Sequence, residues 1–227
     1  MPAPAPETVR LFHITDVENL AAIGAAGALV AKSVIAAAGG GYKNIAYPGA
    51  QGKRAIKALP NPPGGTIHDY VPFYFAPRSP MLLAIHNGRV PGCTTQEPIV
   101  HLETTIARAI ANGRSHVFYD RNATIDYSQP YTDLRDLDKI SWDLITETPR
   151  LDGFCKYFLS VQSKPRYADR QERRMAEFLV RERVLLSAIT RVGVVNAAMK
   201  GRADAILQAA GVSLRSEVQP DWYFLGQ

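Results

Sequence analysis

Three stretches of the chain gather residues that can do chemistry. The first is Leu11-Phe12-His13-Ile14-Thr15, with Asn19 one helical turn on. A strand-to-helix corner lined by small polar groups suits a ribose or a phosphate; the same residues also suit a capped helix with a satisfied histidine. The second begins at Lys53-Arg54 and, after a Gly/Pro-rich spacer, continues as Asp69-Tyr70-Val71-Pro72-Phe73-Tyr74-Phe75-Ala76-Pro77-Arg78-Ser79-Pro80-Met81. A fixed guanidinium such as Arg54 can grip phosphates or polarise a base, but a single arginine in a basic loop is as often solvated. The third is Arg173-Arg174-Met175-Ala176-Glu177-Phe178-Leu179-Val180. Glu177 can stabilise developing positive charge or accept a proton, or pair with Arg174 at the surface.

Around these stretches the chain reads as alternating strands and helices. Val9 to Ile14 suits a strand, and Thr15 with Glu18 fits a capping box for a helix reaching Ala26 and stopped by Gly27. Glycines and prolines crowd residues 36–65, which should be mostly irregular, with one short helix around Lys53 to Leu59. Strand character returns at Tyr70 to Phe75, and Ser79-Pro80 starts a helix that stops at Gly88. Further strands are expected at Pro98 to Leu102, His116 to Tyr119, Ala176 to Val180 (with a helix through that whole region as the alternative), Thr190 to Val195 and, last, Trp222 to Leu225. Further helices are expected at Thr104 to Asn112 and Ala197 to Ala210, with a surface helix or turn region at Leu134 to Ile145. The pattern predicts an α+β fold with a mixed or mainly antiparallel sheet. It predicts a flexible lead-in over residues 1–8 and a single domain over 9–227.

Composition narrows the class. The 227 residues are 46% hydrophobic and 21% charged, ordinary for a globular protein, with a net charge of +5 and a pI of about 9.2. That mild excess favours a polyanionic partner such as nucleic acid. Cys93 and Cys155 form no C-x-x-C pair and are expected to be reduced thiols, with no metal site. The start, MPAPAPETVR, lacks the features of a signal peptide, and no apolar run could span a bilayer. A cytoplasmic location is expected. There is no G-x-x-x-x-G-K-[ST] loop, no G-x-S-x-G and no H-E-x-x-H, and Gly39-Gly40-Gly41 reads as a flexible loop.

The run D-Y-V-P-F-Y-F-x-P-R-S-P-M, the H-I-T start, the lone K-R, A-E-F-L-V and the closing P-D-W-Y-F (Pro220 to Phe224) occur in one order. In these segments the chain resembles the DarT family, enzymes that transfer ADP-ribose from NAD+ to bases of single-stranded DNA. The resemblance covers all but about the first eight residues. It implies an ADP-ribosyltransferase fold, a split and mainly antiparallel sheet with NAD+ in the cleft. It implies NAD+ as a consumed co-substrate, and a separate macrodomain antitoxin, related to DarG, as a partner.

Carried over residue by residue, the resemblance makes Glu177 the catalytic glutamate and Arg54 the essential arginine. His13, Thr15, Asn19, Arg54 and Tyr74 would line the cofactor cleft, although Tyr74 suits the core equally. Asp69 and Tyr70 read as structural. Arg78, Met81, His86, His116, Arg170, Arg173 and Arg174 are the expected DNA contacts, with Arg166 adding charge and Tyr42 and Tyr47 offering rings to unpaired bases. Thymine is the favoured acceptor and guanine the alternative. Transfer to RNA or protein is a second reading. A catalytically inactive nucleic-acid-binding relative is a third, and the joint presence of Arg54 and Glu177 argues against it.

Overall fold

β1 (Arg10–Asp16) is buried along nearly its whole length, as a strand with neighbours on both sides must be. The computed structural model, which describes residues 4–147 and 158–225, continues with α1 (Leu20–Ala26), β2 (Ala28–Val30), α2 (Lys32–Ala37) and α3 (Pro48–Ile56). Then come β3 (Tyr70–Tyr74), α4 (Pro80–His86), β4 (Ile99–Thr105), α5 (Ile106–Ala109), β5 (His116–Tyr119), β6 (Pro130–Tyr131) and α6 (Trp142–Ile145). The chain closes with α7 (Arg170–Arg173), β7 (Glu177–Arg181), β8 (Arg183–Leu185), β9 (Arg191–Val194), α8 (Ala197–Ala209) and β10 (Ser216–Val218).

Eight strands form one sheet in the order β10-β9-β4-β1-β3-β7-β5-β6, and only the β9–β10 pairing is parallel. The sheet is split in its middle. β1 and β4 register over seven residue pairs, from Arg10 opposite Thr105 to Asp16 opposite Ile99, whereas β1 and β3 share only Phe12 opposite Tyr74. Beyond that pair the two halves part. On one face of the β3–β7–β5 half lie Phe73, Phe178 and Phe118, inside the main core; on the other lie Tyr70, Leu179, Val117 and Tyr119, packed with Leu59, Ile67 and Ala123.

Several expectations shift in detail. β1 runs on through Thr15, so Asp16 and not Thr15 does the capping: its carboxylate accepts from the Glu18 N–H at 2.9 Å, and the α-helix begins only at Leu20. Gly27 ends that helix at φ +61°, a left-handed conformation that suits glycine. The short helix expected from Lys53 starts earlier, at Pro48, whose fixed φ fits a first helical position. Of the helix or turn expected over residues 134–145, the turn fits the first part, a 3-10 segment at Leu134–Lys139, and it is followed by α6, which buries Trp142, Leu144 and Ile145. The expected strand at Trp222–Leu225 is absent. There the Gln96 side-chain amide takes the place of a neighbouring strand, donating to the Phe224 carbonyl at 2.7 Å and accepting from its N–H at 3.0 Å. Trp222 lies against Gly193 of β9, where a Cβ would fall 2.2 Å from its ring. The short strands β2, β8 and β10 and the helix α2 were not anticipated. Cys93 is a buried thiol outside any disulfide, and Cys155 lies outside the described residues. Among the described residues no helix is long and apolar enough to cross a membrane, and no cluster of side chains is suited to a metal ion.

Candidate active site

The split in the sheet puts a row of three side chains on one face. Glu177, first residue of β7, stands opposite Tyr74 on β3 and opposite Tyr119 on β5. Opposed residues of antiparallel strands point the same way, so a carboxylate is flanked by two phenols. Glu177 is 1% exposed. A carboxylate that deep must have its charge and lone pairs answered. Arg54, 123 residues earlier, reaches it from α3 with Nη1 at 3.2 Å from Oε1 and 3.0 Å from Oε2. The backbone N–H of Ala123 donates to Oε1 at 2.7 Å. A single nitrogen of the guanidinium makes both contacts, which leaves most of its donor fork directed elsewhere.

The surroundings keep the neighbouring rings neutral. Burial, reinforced by the Glu177 charge, pushes the Tyr119 phenol up to about 12 and the Tyr74 phenol higher still. His13 sits where β1 and β3 diverge, with Nδ1 2.8 Å from the Pro72 carbonyl. Burial lowers its pKa, so the ring is neutral and Nδ1–H donates.

Thr15 and Asn19 are brought together, but toward the chain itself. The Asn19 amide donates to Thr15 Oγ1 at 2.9 Å and to the Lys43 carbonyl at 2.9 Å, and accepts from the Lys43 N–H at 2.8 Å. Lys43 Nζ adds ion pairs to Asp16 at 2.9 Å and Glu18 at 3.4 Å. The segment after the triple glycine is therefore stitched to the corner where β1 becomes α1. Asp69 accepts from the Thr66 N–H at 2.7 Å and Tyr70 donates to the Gly64 carbonyl at 2.6 Å, both holding the turn before β3.

The side chains expected on the DNA side are less gathered. His116 stacks on Phe178 with ring centroids 5.2 Å apart, on the face of the sheet opposite Glu177, because strand alternation turns it away from Tyr119. Arg170 and Arg174 are 6% and 5% exposed. The first pairs with Glu147 at 2.8 Å; the second donates to the Leu144 carbonyl and lies over Phe158. They are buried anchors for the segment before Glu177 and not an open basic surface. Arg173 is a third exposed and holds Asp169 at 2.6 Å and Ser141 at 2.9 Å, while Arg166 pairs with Asp143 and Glu147. Arg78 donates to the Tyr223 carbonyl at 2.9 Å, Met81 packs partly buried on the core, and His86 lies against Gln96 and Phe224. Tyr42 and Tyr47 remain exposed.

Sequence reading missed the loop 120–129, between β5 and β6, altogether. Its contribution to Glu177 is a backbone N–H, which no side-chain pattern announces. Arg121 pairs with Asp120 within the loop and ties the loop to Asp169 and Glu172, and Lys57, just past α3, donates to its Ile125 carbonyl at 2.8 Å.

Glu177 and Arg54 thus form a buried carboxylate–guanidinium pair beside the split of a mainly antiparallel sheet. The family model described as "ssDNA thymidine ADP-ribosyltransferase, DarT" matches residues 12–224. A relative from Thermus sp. (strain 2.9), named a DNA ADP-ribosyl transferase, is 31% identical over 221 residues, covering 96% of this chain and 98% of its own. The structure of Thermus sp. 2.9 DarT in complex with ADP-ribosylated ssDNA superimposes with a TM-score of 0.84 at 30% identity, over 99% of this chain and 100% of that one. The structure of the same protein in complex with NAD+ gives 0.79 at 29% identity, over 97% and 100%. The chain belongs to the DarT family and has its ADP-ribosyltransferase fold.

Proposed function

We propose that the protein transfers ADP-ribose from NAD+ to a base of single-stranded DNA and releases nicotinamide. Family membership across residues 12–224 supports the reaction class. The observation that carries it to this chain's own residues is the buried Glu177–Arg54 pair with Ala123 N–H on the same carboxylate. The donor set fits the co-substrate: a carboxylate for ribose hydroxyls and a guanidinium with unused donors for phosphate oxygens or a base.

Glu177 accepts hydrogen bonds from the ribose and stabilises the positive charge that builds on it as the bond to nicotinamide breaks. The electron pair of that bond leaves with nicotinamide; the lone pair of the attacking base nitrogen forms the new bond to the ribose. Glu177 is also placed to take the proton that the nitrogen gives up. Arg54 orients the base or the phosphates, and Tyr74 and Tyr119 stay neutral beside the carboxylate. His13 and Thr15 shape the cofactor end of the split, and Asn19 shapes it by holding Lys43. Arg78, Met81, His86 and Arg173 border the acceptor side. Thymine is the base we favour. A separate macrodomain protein that removes ADP-ribose is the partner we expect, and a cytoplasmic location follows from such chemistry.

The test is intact-mass analysis of single-stranded oligonucleotides after incubation with the protein and NAD+. We expect a gain of one ADP-ribose, absent on duplex DNA, where base nitrogens are paired, and absent with Glu177→Ala. Oligonucleotides lacking T or lacking G assign the base. No gain on any DNA, with NAD+ consumed when RNA or protein is supplied, would move the acceptor to those classes.

A further inference from the structure

Among the described residues, the exposed aromatic rings are Tyr42, Tyr47 and Tyr127. Tyr127 is the most open of them at 58% and sits on the loop 120–129 that touches Glu177. An exposed ring is ordinary on a surface tyrosine; a fixed one is not. The Tyr127 hydroxyl donates to Glu172 Oε1 at 2.6 Å, and the Arg121 guanidinium lies 5.7 Å from the ring centroid. Arg121 is itself held between Asp120, Asp169 and Glu172. The loop is fastened again at Ala123 to Glu177 and at Ile125 to Lys57, which follows the helix carrying Arg54. Glu172 lies five residues before Glu177. The ring is thus held at its hydroxyl by Glu172 and carried on a loop fastened to Glu177, while the residue remains 58% exposed.

From this arrangement we infer that Tyr127 is a preset stacking platform for an unpaired base of the acceptor strand, next to the base that is modified. The inference rests on the DNA-directed reading above. A base has a π-face whatever its identity, and stacking on an aromatic side chain contributes about 1–3 kcal/mol per base. A ring already held at its hydroxyl loses less conformational entropy when the base settles on it than a free one would. Neighbouring bases held this way fix the register of the strand, so the acceptor base reaches Glu177 in one orientation. The platform adds binding and register without base-edge hydrogen bonds, and so favours single strands over any duplex.

Two substitutions separate this role from a strut that merely supports Glu172. Tyr127→Phe keeps the ring and removes the bond to Glu172; Tyr127→Leu removes both. The probe is a fluorescein-labelled, thymine-containing single-stranded oligonucleotide, with Kd read by anisotropy and KM for DNA read from ADP-ribose transfer. The platform predicts a Kd and a KM for DNA raised roughly 10-fold in Tyr127→Leu, with Tyr127→Phe within about threefold of wild type. Because no charge is removed, plots of log Kd against log salt should be parallel for wild type and Tyr127→Leu. A Tyr127→Leu protein with wild-type Kd and KM for DNA overturns the platform, and so does Tyr127→Phe losing as much as Tyr127→Leu. A wild-type protein that modifies no single-stranded DNA overturns the functional reading and the platform with it.

Discussion

At the scale of single residues, charge and burial decide most of what can be measured. Glu177 is tolerated at 1% exposure because Arg54 and the Ala123 N–H answer it. His101 shows the opposite strategy, a buried group kept neutral. It is enclosed by Trp222 and Tyr223, its Nε2–H donates to the Pro77 carbonyl at 3.0 Å, and its Nδ1 meets no partner among the described residues. Burial lowers its pKa from 6.5 to about 4. Above pH 6.5 the ring is neutral in folded and unfolded chains alike. Between 6.5 and about 4 only the unfolded chain takes up the proton, so stability falls as pH falls through that window. His101 alone should cost about 2 kcal/mol at pH 5 relative to pH 7.5. His13, His68 and His116 are lowered by burial too and act in the same direction. Urea unfolding at pH 7.5, 6 and 5 checks this, and a stability flat across that range would contradict it.

At the scale of elements, the segment between α2 and α3 matters most, because α3 carries Arg54. Gly39, at φ +66°, and its two glycine neighbours give that segment freedom. The Asn19 amide removes it again, with both polar atoms on the Lys43 backbone. Asn19→Ala deletes three partly or fully buried hydrogen bonds and should cost about 2–3 kcal/mol, a fall in Tm of roughly 5–10 °C for a chain of this size. Hydrogen exchange should speed up at the Lys43 amide and across residues 40–47 while β4 stays protected. Unchanged exchange there would mean that α3 is placed by its other contacts.

For the whole molecule, net charge is a poor guide to how DNA would be held. The formal +5 suggests a basic surface, yet Arg170 and Arg174 are buried, and Arg121, Arg166 and Arg173 are already engaged with Asp143, Glu147, Asp169 or Glu172. As they stand, these five arginines are turned to the protein's own carboxylates and carbonyls and not to phosphates. Affinity for a single-stranded oligonucleotide should therefore depend only weakly on salt, with a slope no steeper than about −2, corresponding to about three phosphates at ~0.7 each. A slope twice as steep would show that these ion pairs open to take up DNA.

Much of the scaffold was written locally. Alternating aromatic and branched residues mark β3, β5 and β7, Ser79 with Pro80 marks the start of α4, and Gly27 marks the end of α1. Each depends on neighbours within a few residues, and that is information a sequence carries openly. The two residues of the candidate site that meet, Arg54 and Glu177, were both singled out through the order of the motifs that hold them. Tertiary structure alone decided the rest. β2, β8 and β10 are three residues each and exist only because another strand pairs with them. Whether an arginine faces solvent or a buried carbonyl depends on what folds over it, as Arg174 and Leu144 show. The contact of Arg54 with Glu177 spans 123 residues, and the second donor to that carboxylate is a backbone N–H. Every residue but proline carries that group, so only the path of the chain determines which one arrives.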